Sequence, residues 1–178
     1  MHAVFYRSLN LGHRGSPTRE QFERSLLEAG AQRVKSFQTN GTALIVADDP
    51  ACVVSVAART LTQCSGYADA ALVKSVAALR EVLDADHFTG HTDHRTYRET
   101  FTFFDGVRRE PTWSLPWTNA RDDVVVIHVA SGVALGIIRK ERGTAGSVST
   151  EIEKETGGVA TSRTKGTIER LLRAAESW

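Results

Sequence analysis

The chain has 178 residues, of which 41% are apolar and 24% are charged, and its formal net charge at pH 7 is +1. These values are typical of a globular protein, and the length allows one good-sized core or two small units that share one. No apolar run approaches the roughly 18 residues that a membrane-spanning helix requires. The opening MHAVFYRSLN lacks the basic and apolar regions of a signal peptide, so we expect a cytoplasmic protein without a membrane partner.

The first half of the chain predicts six elements. The stretch AVFYRSLNL is typical of a strand, and Ser16 followed by Pro17 predicts a helix start with Ser16 as the cap. Gly30 predicts the end of that helix. RVKSFQT and GTALIVADD predict two strands joined by a hairpin at Asn40 and Gly41.

A second helix and a fourth strand complete this half. Asp49 and Pro50 open the helix by the same capping logic, and its predicted apolar face consists of Val53, Val54, Ala57 and Leu61. YADAALVK predicts the strand. The order β-α-β-β-α-β is that of a ferredoxin-like unit, which we expect over residues 1–74.

Residues 75–178 predict a second, smaller α+β unit packed with the first, the two forming one compact domain. Ser75 opens a helix, DADHFTGHTDHR predicts a loop, TYRETFTFF a strand and RREPTWSLPWTNARDD an irregular segment. DVVVIHV and VALGIIRK predict a strand pair that turns at Ser131 and Gly132. The helix SVSTEIEKE ends at Gly157, and the final helix has a predicted apolar face of Ile168, Leu171, Leu172 and Ala175.

The charge is unevenly distributed along the chain. Residues 1–40 carry six basic against three acidic side chains, residues 161–178 carry four against two, and the residues between them are net acidic. Two basic ends indicate an anionic partner if they meet in space. A randomly uneven, solvated surface explains the same counts, and the small net charge does not favour strong non-specific binding of nucleic acid.

The stretch VATSRTKG is the first candidate binding site. We expect it to be a polar turn at the start of the final helix, where free N–H groups and the helix dipole favour anions. The hydroxyls and cations that would complete such a site are Thr161, Ser162, Thr164, Thr167, Arg163 and Lys165. The alternative is that one hydroxyl caps the helix and the others face water. After the first strand, Arg7, Asn10 and His13 form a second polar loop, for which a plain connection is the alternative.

Other candidate sites are weaker. His87, His91 and His94 resemble a metal-ligand cluster, but Thr89 and Gly90 oppose a helix there and the spacing is not that of a zinc site. We therefore favour a solvated loop and expect neither a metal nor a cofactor. The two cysteines, Cys52 and Cys64, are expected to be buried free thiols.

The aromatic residues exclude one class of RNA-binding domain, and the lack of a clear catalytic motif excludes no class of function. Trp113 and Trp117 flank Pro116, and we expect them to fill the edge of a core rather than to stack on bases. GTALIVADD has no aromatic residue, which excludes the signature of an RNA-recognition domain. No nucleophile elbow or triad order stands out, so the sequence leaves enzymatic activity open.

Two segments carry a family resemblance. YRSLNLGHRGSPTREQFERSLLEAGAQRVKSFQTNGTALI resembles the opening of a bacterial family of unknown function, DUF1697, which typically reads LRGINVGG followed by a proline-led helix and a QSGN turn. ATSRTKGTIERLL resembles its closing motif, TTRNWNTVTKL. The resemblance covers essentially the whole chain, and it implies a two-part α+β fold with a ferredoxin-like portion and no assigned biochemical function.

The resemblance also implies particular site residues. Those that match the family motifs are Arg7, Asn10, Gly12, Gln38, Thr161, Arg163 and Thr167. The positions that depart from the motifs are Ser8, His13, Asn40, Gly41, Thr164, Lys165 and Gly166, which indicates a divergent member.

Together these observations give one functional hypothesis. We expect a polar pocket between the two units, formed by Arg7, Asn10, Gln38, Thr161, Arg163 and Thr167, which binds an anionic ligand, either nucleic acid or a phosphorylated small molecule. One alternative is an enzyme acting on a small phosphorylated or carboxylated metabolite at the same pocket. The other is an interaction module whose edge strands or tryptophans bind a protein.

Overall fold

The computed structural model describes residues 1–105, 110–140 and 145–178. Within those residues the chain has a mixed α+β architecture with two antiparallel sheets and five helices, so the α+β fold class is confirmed. The chain divides into two compact units, the first made of Met1–Leu79 with Ala175–Trp178 and the second of Arg80–Ala174. The division predicted between residues 74 and 75 stays a prediction.

Each of the two units contains both strands and helices. Those wholly within the first unit are β1 (His2–Tyr6), α1 (Arg19–Glu28), β2 (Arg33–Phe37), β3 (Thr42–Val46), α2 (Pro50–Ser65) and β4 (Ala71–Ser75). Those wholly within the second are β5 (Thr96–Phe104), β6 (Trp117–Thr118), β7 (Val124–Ala130), β8 (Val133–Arg139), α4 (Val148–Thr156) and β9 (Ala160–Thr164). Two helices, α3 (Val76–Asp84) and α5 (Lys165–Glu176), each cross a boundary between the two sets of residues.

The sheet of the first unit has the strand order β2-β3-β1-β4, and all neighbours are antiparallel. Thr42 lies opposite both Phe37 and Phe5, and Tyr6 lies opposite Ala71. The carboxyl ends of β1 and β2 and the amino ends of β3 and β4 therefore meet at one edge of the sheet. We call the segments at this edge, residues 7–18, 38–41 and 67–70, the polar edge.

One face of this sheet carries the core of the first unit. Val4 and Tyr6 of β1 are buried in one cluster with Phe22 and Leu26 of α1, because alternate strand side chains point to the same face. The ring of Tyr6 meets that of Phe22 edge to face, with centroids 5.0 Å apart. The predicted apolar face of α2 is confirmed, since its four residues are all buried in the same cluster.

The two helices of this unit begin at polar caps. Asp49 caps α2 as predicted, because its Oδ1 accepts a hydrogen bond from the N–H of Cys52 at 2.9 Å. The prediction of Ser16 as the cap of α1 is wrong. Thr18 is the cap, and its side chain and that of Gln21 bond reciprocally to each other's backbone N–H in a capping box. The Ser16 hydroxyl instead accepts from the backbone N–H of Asn10 within the loop.

The predicted hairpin at Asn40 and Gly41 is confirmed, and its turn spans residues 38–41. Gly41 has a φ of +67°. A Cβ atom at this position would lie 2.7 Å from the Cβ of Leu9 and 2.9 Å from the Cβ of Tyr6. Only glycine therefore fits where the turn packs against the β1–α1 loop. The fourth strand is shorter than YADAALVK predicts, because Tyr67 to Ala70 precede it as a loop.

The second unit is built on a sheet of order β6-β7-β8-β5-β9. β5 coincides with the predicted strand TYRETFTFF, and β7 and β8 turn at Ser131 and Gly132, both at positive φ, as predicted. Val148 of α4 packs closely on the sheet, because a Cβ at Gly136 would lie only 2.6 Å from its Cγ2. The predicted helix SVSTEIEKE is confirmed, with Ser147 as the N-cap and Gly157 as the C-cap.

Three expectations about local structure are corrected. Residues Ala160–Thr164 are not a turn but the edge strand β9, paired with β5. The irregular segment 108–123 contains the short strand β6, and its residues 108 and 109 lie outside the described residues. Cys52 and Cys64 are free but exposed, because both lie outside the buried face of α2.

None of the helices in residues 1–105, 110–140 and 145–178 is long and apolar enough to cross a bilayer. The predicted apolar face of α5 is confirmed by the burial of all four of its residues, Ile168, Leu171, Leu172 and Ala175.

Candidate functional site

Arg7 lies directly after β1, at the polar edge of the first unit. Its backbone N–H donates to the carbonyl of Ala70 at 2.8 Å, and its carbonyl accepts a hydrogen bond from the Tyr67 Oη at 2.6 Å. Its Nη1 donates to the Asp69 Oδ2 at 3.0 Å, with 36% of the Arg7 side chain exposed. The segment before β4 therefore orients both the main chain and the guanidinium of Arg7.

Asn10 and Gln38 are distant in sequence but lie on adjoining segments of the polar edge. The N–H of Leu11 donates to the carbonyl of Thr39 at 2.7 Å, and this bond ties the β1–α1 loop to the β2–β3 turn. Leu9 and Leu11 are buried and anchor the loop, whereas Asn10 and Gln38 are exposed. The structure thus brings together the segments of all three predicted residues of the first unit.

Arg19 supports the turn that carries Gln38. Its Nη2 donates to the Gln38 carbonyl at 3.1 Å, and its Nη1 donates to the Ser36 Oγ at 2.5 Å. The Oε1 of Gln38 accepts from the Asn40 Nδ2 at 3.3 Å. Sequence reasoning missed this arginine, since it is the first residue of an amphipathic helix and nothing in the local pattern connects it to residue 38.

The charge of the polar edge is positive. Arg7, Arg14 and Asp69 are its charged residues, and His13 adds an exposed imidazole. Asp69 is paired with Arg7, and Arg14 is exposed. Exposed amides beside cationic groups suit phosphate or carboxylate oxygens, because each N–H bond to an anion is stronger than a neutral one.

Tyr6 ends β1 immediately before Arg7. Burial, and then the neighbouring Tyr67, raises the pKa of the Tyr6 phenol well above its usual range. Tyr6 therefore stays neutral at physiological pH, and its side chain is part of the core of the first unit.

Arg163 and Thr161 lie in the second unit, on β9. Arg163 is opposite Phe101 and Thr161 is opposite Phe103, and both β9 residues are more than nine-tenths buried. The Nη1 of Arg163 donates to the Thr161 Oγ1 at 2.9 Å and to the Ser162 carbonyl at 2.8 Å. The side chain of Arg163 is therefore held within its own strand.

Thr167 lies in the first turn of α5, where Thr164 is the capping residue. The Thr164 Oγ1 accepts from the N–H of Thr167 at 3.3 Å, and the two hydroxyls lie 3.0 Å apart. Lys165 pairs with Glu99 at 3.2 Å. The alternative in which one hydroxyl caps the helix is thus correct for Thr164, while Ser162 bonds the hydroxyl of Thr102 across the strands.

The six predicted site residues therefore form two groups. Arg7, Asn10 and Gln38 belong to the first unit, and Thr161, Arg163 and Thr167 belong to the second. That all six line one pocket stays a prediction.

The three histidines of the loop lie in two different settings. His87 stacks on His128 with ring centroids 3.9 Å apart, and His91 and His94 are exposed. No group of three or more potential ligands in the described part of the chain could hold a metal ion. Burial, and then the proximity of His87, lowers the pKa of His128.

The two tryptophans stack on each other. Their centroids are 4.0 Å apart with rings almost parallel, and both pack against the core cluster of the second unit around Phe104 and Val126. They are partly buried, which agrees with a role at the edge of a core.

The fold of this chain is similar to that of a solved protein structure. A structure described as that of a conserved bacterial protein from Streptococcus pneumoniae is similar over 97% of this chain and 96% of its own, with a TM-score of 0.59 and 13% sequence identity. That likeness concerns the fold alone. No curated protein matches the sequence.

The family comparison agrees with the motifs at the polar edge. The model of the family described as "Protein of unknown function (DUF1697)" matches residues 1–135, which include the loop of Arg7 and Asn10 and the turn of Gln38. The chain therefore belongs to the DUF1697 family of proteins of unknown function.

Proposed function

We propose that this protein binds an anionic ligand, a phosphorylated small molecule or nucleic acid, and that the polar edge of its first unit is the binding surface. The observation that carries the proposal is the meeting of three segments at this edge. They carry the guanidinium of Arg7 and the exposed amides of Asn10 and Gln38 at the same edge of the sheet.

The anchoring of Arg7 supports a binding role. A guanidinium oriented by Asp69 loses little side-chain freedom when it meets an anion. The ion pair leaves Arg14 as the exposed cation that gives the edge its net positive charge.

The second unit contributes to the proposal through Thr161, Arg163 and Thr167. Arg163 places a cation on β9, and Thr167 places a hydroxyl in the first turn of α5, where the helix dipole favours negative charge. That these residues bind the same ligand as Arg7 is a prediction from the resemblance to the family motifs alone.

We also assign the first unit to the ferredoxin-like arrangement. The order β2-β3-β1-β4, with one helix after β1 and another after β3, supports that assignment. In this arrangement the loops at one edge of the sheet are free to carry a site, because both helices lie along the strands. A cytoplasmic location remains part of the proposal.

Fluorescence anisotropy tests the proposal. Labelled single- and double-stranded DNA and RNA are titrated at two salt concentrations, and unlabelled nucleoside monophosphates compete for the bound probe. The variants are Arg7→Gln and, as a matched control, Arg24→Gln, which removes one exposed arginine from α1. The proposal predicts binding that Arg7→Gln weakens by about tenfold or more, as expected for one charge-assisted contact, and that Arg24→Gln preserves.

The outcomes separate the candidate ligands. Salt-sensitive binding of long probes indicates nucleic acid. Competition by a monophosphate without any preference for chain length indicates a small molecule. Equal affinities of the two variants would show that the polar edge is not the binding surface.

A further inference from the structure

A cleft of about 480 Å³ opens in the first unit, between the last turns of α2 and the segment that precedes β4. Its volume lies within the range of small-molecule sites, roughly 300–1,000 Å³. The residues that line it are Ala58, Arg59, Thr62, Gln63, Tyr67, Ala68 and Asp69.

Most of the surface that lines the cleft is apolar, and the hydroxyls of Thr62 and Tyr67 are already bonded. The hydroxyl of Thr62 lies 2.8 Å from the Tyr67 carbonyl and 2.9 Å from the Ala58 carbonyl. The phenol of Tyr67 is bonded to Arg7, which leaves its ring to form part of the wall. The methyl groups of Ala58 and Ala68 leave the space open.

The cleft is lined by two charged side chains, those of Asp69 and Arg59. Asp69 is compensated, since its Oδ2 accepts from Arg7 and its Oδ1 accepts from the N–H of Ala70 at 2.7 Å. Arg59 is exposed, and its guanidinium has no hydrogen-bond or ion-pair partner in the described ranges. One uncompensated cation beside an apolar wall is the pattern that binds an organic anion with a compact apolar body.

The cleft shares Tyr67, Ala68 and Asp69 with the polar edge, and two of these residues bond Arg7. Tyr67 bonds the carbonyl of Arg7, and Asp69 bonds its guanidinium. A molecule seated in the cleft therefore lies next to the groups that orient Arg7.

We infer that this cleft receives the apolar body of the ligand and that Arg59 pairs with its phosphate or carboxylate, with the exposed amide of Gln63 as a further donor. This inference rests on the proposed function and narrows it. The ligand is a small organic phosphate or carboxylate rather than a nucleic acid chain. Thr62 and Tyr67 shape the cleft, and Arg59 recognises the anion.

An NMR titration with three probes tests the inference. Phenyl phosphate carries both parts of the proposed ligand, inorganic phosphate carries the anion alone, and benzoate replaces the phosphate with a carboxylate. The amide resonances of Arg59, Gln63 and Ala68 are followed in the ¹H–¹⁵N spectrum of the full chain. We expect phenyl phosphate or benzoate to shift them with an affinity about tenfold higher than that of inorganic phosphate.

Three variants locate the binding. Ala58→Leu fills the cleft without removing a polar group, and Ala51→Leu adds the same side chain at an exposed position of α2 outside the cleft. Both substitutions preserve helix propensity, so both proteins are expected to fold. Ala58→Leu and Arg59→Gln should each weaken the binding of phenyl phosphate by about tenfold, and Ala51→Leu should leave it unchanged.

The results distinguish the inference from the function on which it rests. If Arg7→Gln weakens anion binding while Ala58→Leu leaves it unchanged, the proposed function stands and the cleft is excluded. If phenyl phosphate shifts the cleft amides and Arg7→Gln has no effect, the cleft stands and the polar edge is excluded. Equal affinities for phenyl phosphate and inorganic phosphate, or no binding of any probe, overturn the inference.

Discussion

Tyr67 donates a 2.6 Å hydrogen bond from its Oη to the main-chain carbonyl of Arg7, across 60 residues of sequence. The Tyr67 ring is buried and lies at a tilt to that of Tyr6, with centroids 6.0 Å apart. One aromatic residue therefore joins the core of the first unit to the segment that carries the candidate ligand-binding arginine.

Removal of this hydroxyl is expected to destabilise the fold and loosen Arg7. In Tyr67→Phe the partly buried carbonyl loses its donor, which should lower the free energy of unfolding by about 1–2 kcal/mol. Urea unfolding measures the loss. Tyr97→Phe is the control, because Tyr97 is 45% exposed and its loss of a hydroxyl should cost less than about 0.5 kcal/mol. Similar losses in the two variants would contradict the role given to the bond.

The close approach at Gly41 makes a second prediction. Gly41→Ala places a Cβ 2.7 Å from that of Leu9 at a φ of +67°, so both overpacking and backbone strain oppose it. We expect a loss of about 2–4 kcal/mol in the free energy of unfolding. Gly12→Ala is the matched control, since its φ is +81° and no atom lies within 4 Å of the added Cβ. Its expected loss is about 1 kcal/mol, from backbone strain alone. Losses of the same size at both positions would exclude the packing argument.

Arg163 is expected to be important for stability as well as for binding. Arg163→Met keeps an unbranched apolar stem but removes the donors to Thr161 and Ser162, so the free energy of unfolding should fall by about 1–3 kcal/mol. Arg173→Met, at an exposed position of α5, should change it by less than about 0.5 kcal/mol. Chemical denaturation of both variants checks the difference. An unchanged Arg163→Met protein would mean that the buried guanidinium contributes nothing to the fold.

The stacked pair of His87 and His128 predicts a pH dependence of stability. Burial and the nearby His87 lower the pKa of His128 in the folded chain below its ordinary value of 6.5. The unfolded chain therefore binds more protons as the pH falls through 6.5, and the stability that is complete above this value declines below it. Unfolding free energies measured between about pH 8 and pH 5 should show this decline.

A variant isolates the contribution of His128. His128→Phe keeps a ring in the stack but cannot titrate, so its stability should decline less toward low pH than that of the parent chain. His2, whose pKa is also lowered by burial, is present in both proteins and cancels in the difference. Parallel pH profiles would contradict the assignment to His128.

Local signals in the sequence predict much of the fold. The strand over residues 96–104, the cap at Asp49 and the turn at Ser131 and Gly132 each depend on neighbours within a few positions, and all three are confirmed. The prediction of Ser16 as the cap of α1 is wrong because Thr18 also matches the capping rule and is followed three residues later by Gln21, which completes a capping box.

The strand β9 shows why a local pattern can mislead. Thr161 to Thr164 are rich in hydroxyls, which favour both helix caps and strands. Their conformation is decided by pairing with β5, about 60 residues earlier in the chain. Thr161 and Arg163 are buried and alternate with the less buried Ser162 and Thr164, but all four side chains are polar, so the sequence carries no apolar alternation that predicts a strand here.

The candidate site was predicted only in part. The family motifs identify Arg7, Asn10 and Gln38, but they do not identify Tyr67 and Asp69, the residues that orient Arg7. These partners lie in the first half of YADAALVK, which is a loop and not part of the strand β4. Such contacts depend on the order of strands in the sheet, which no short segment specifies.

The most direct test of the account is an NMR titration of the unmodified chain with pyrophosphate, which carries phosphate charge without an organic body. Binding at the polar edge predicts that the amide resonances of Arg7, Asn10 and Gln38 shift together, with one dissociation constant, and that Arg7→Gln raises this constant by about tenfold or more. Resonances that stay in place at the polar edge, or that shift only elsewhere in the chain, would contradict the central claim that this edge binds anions.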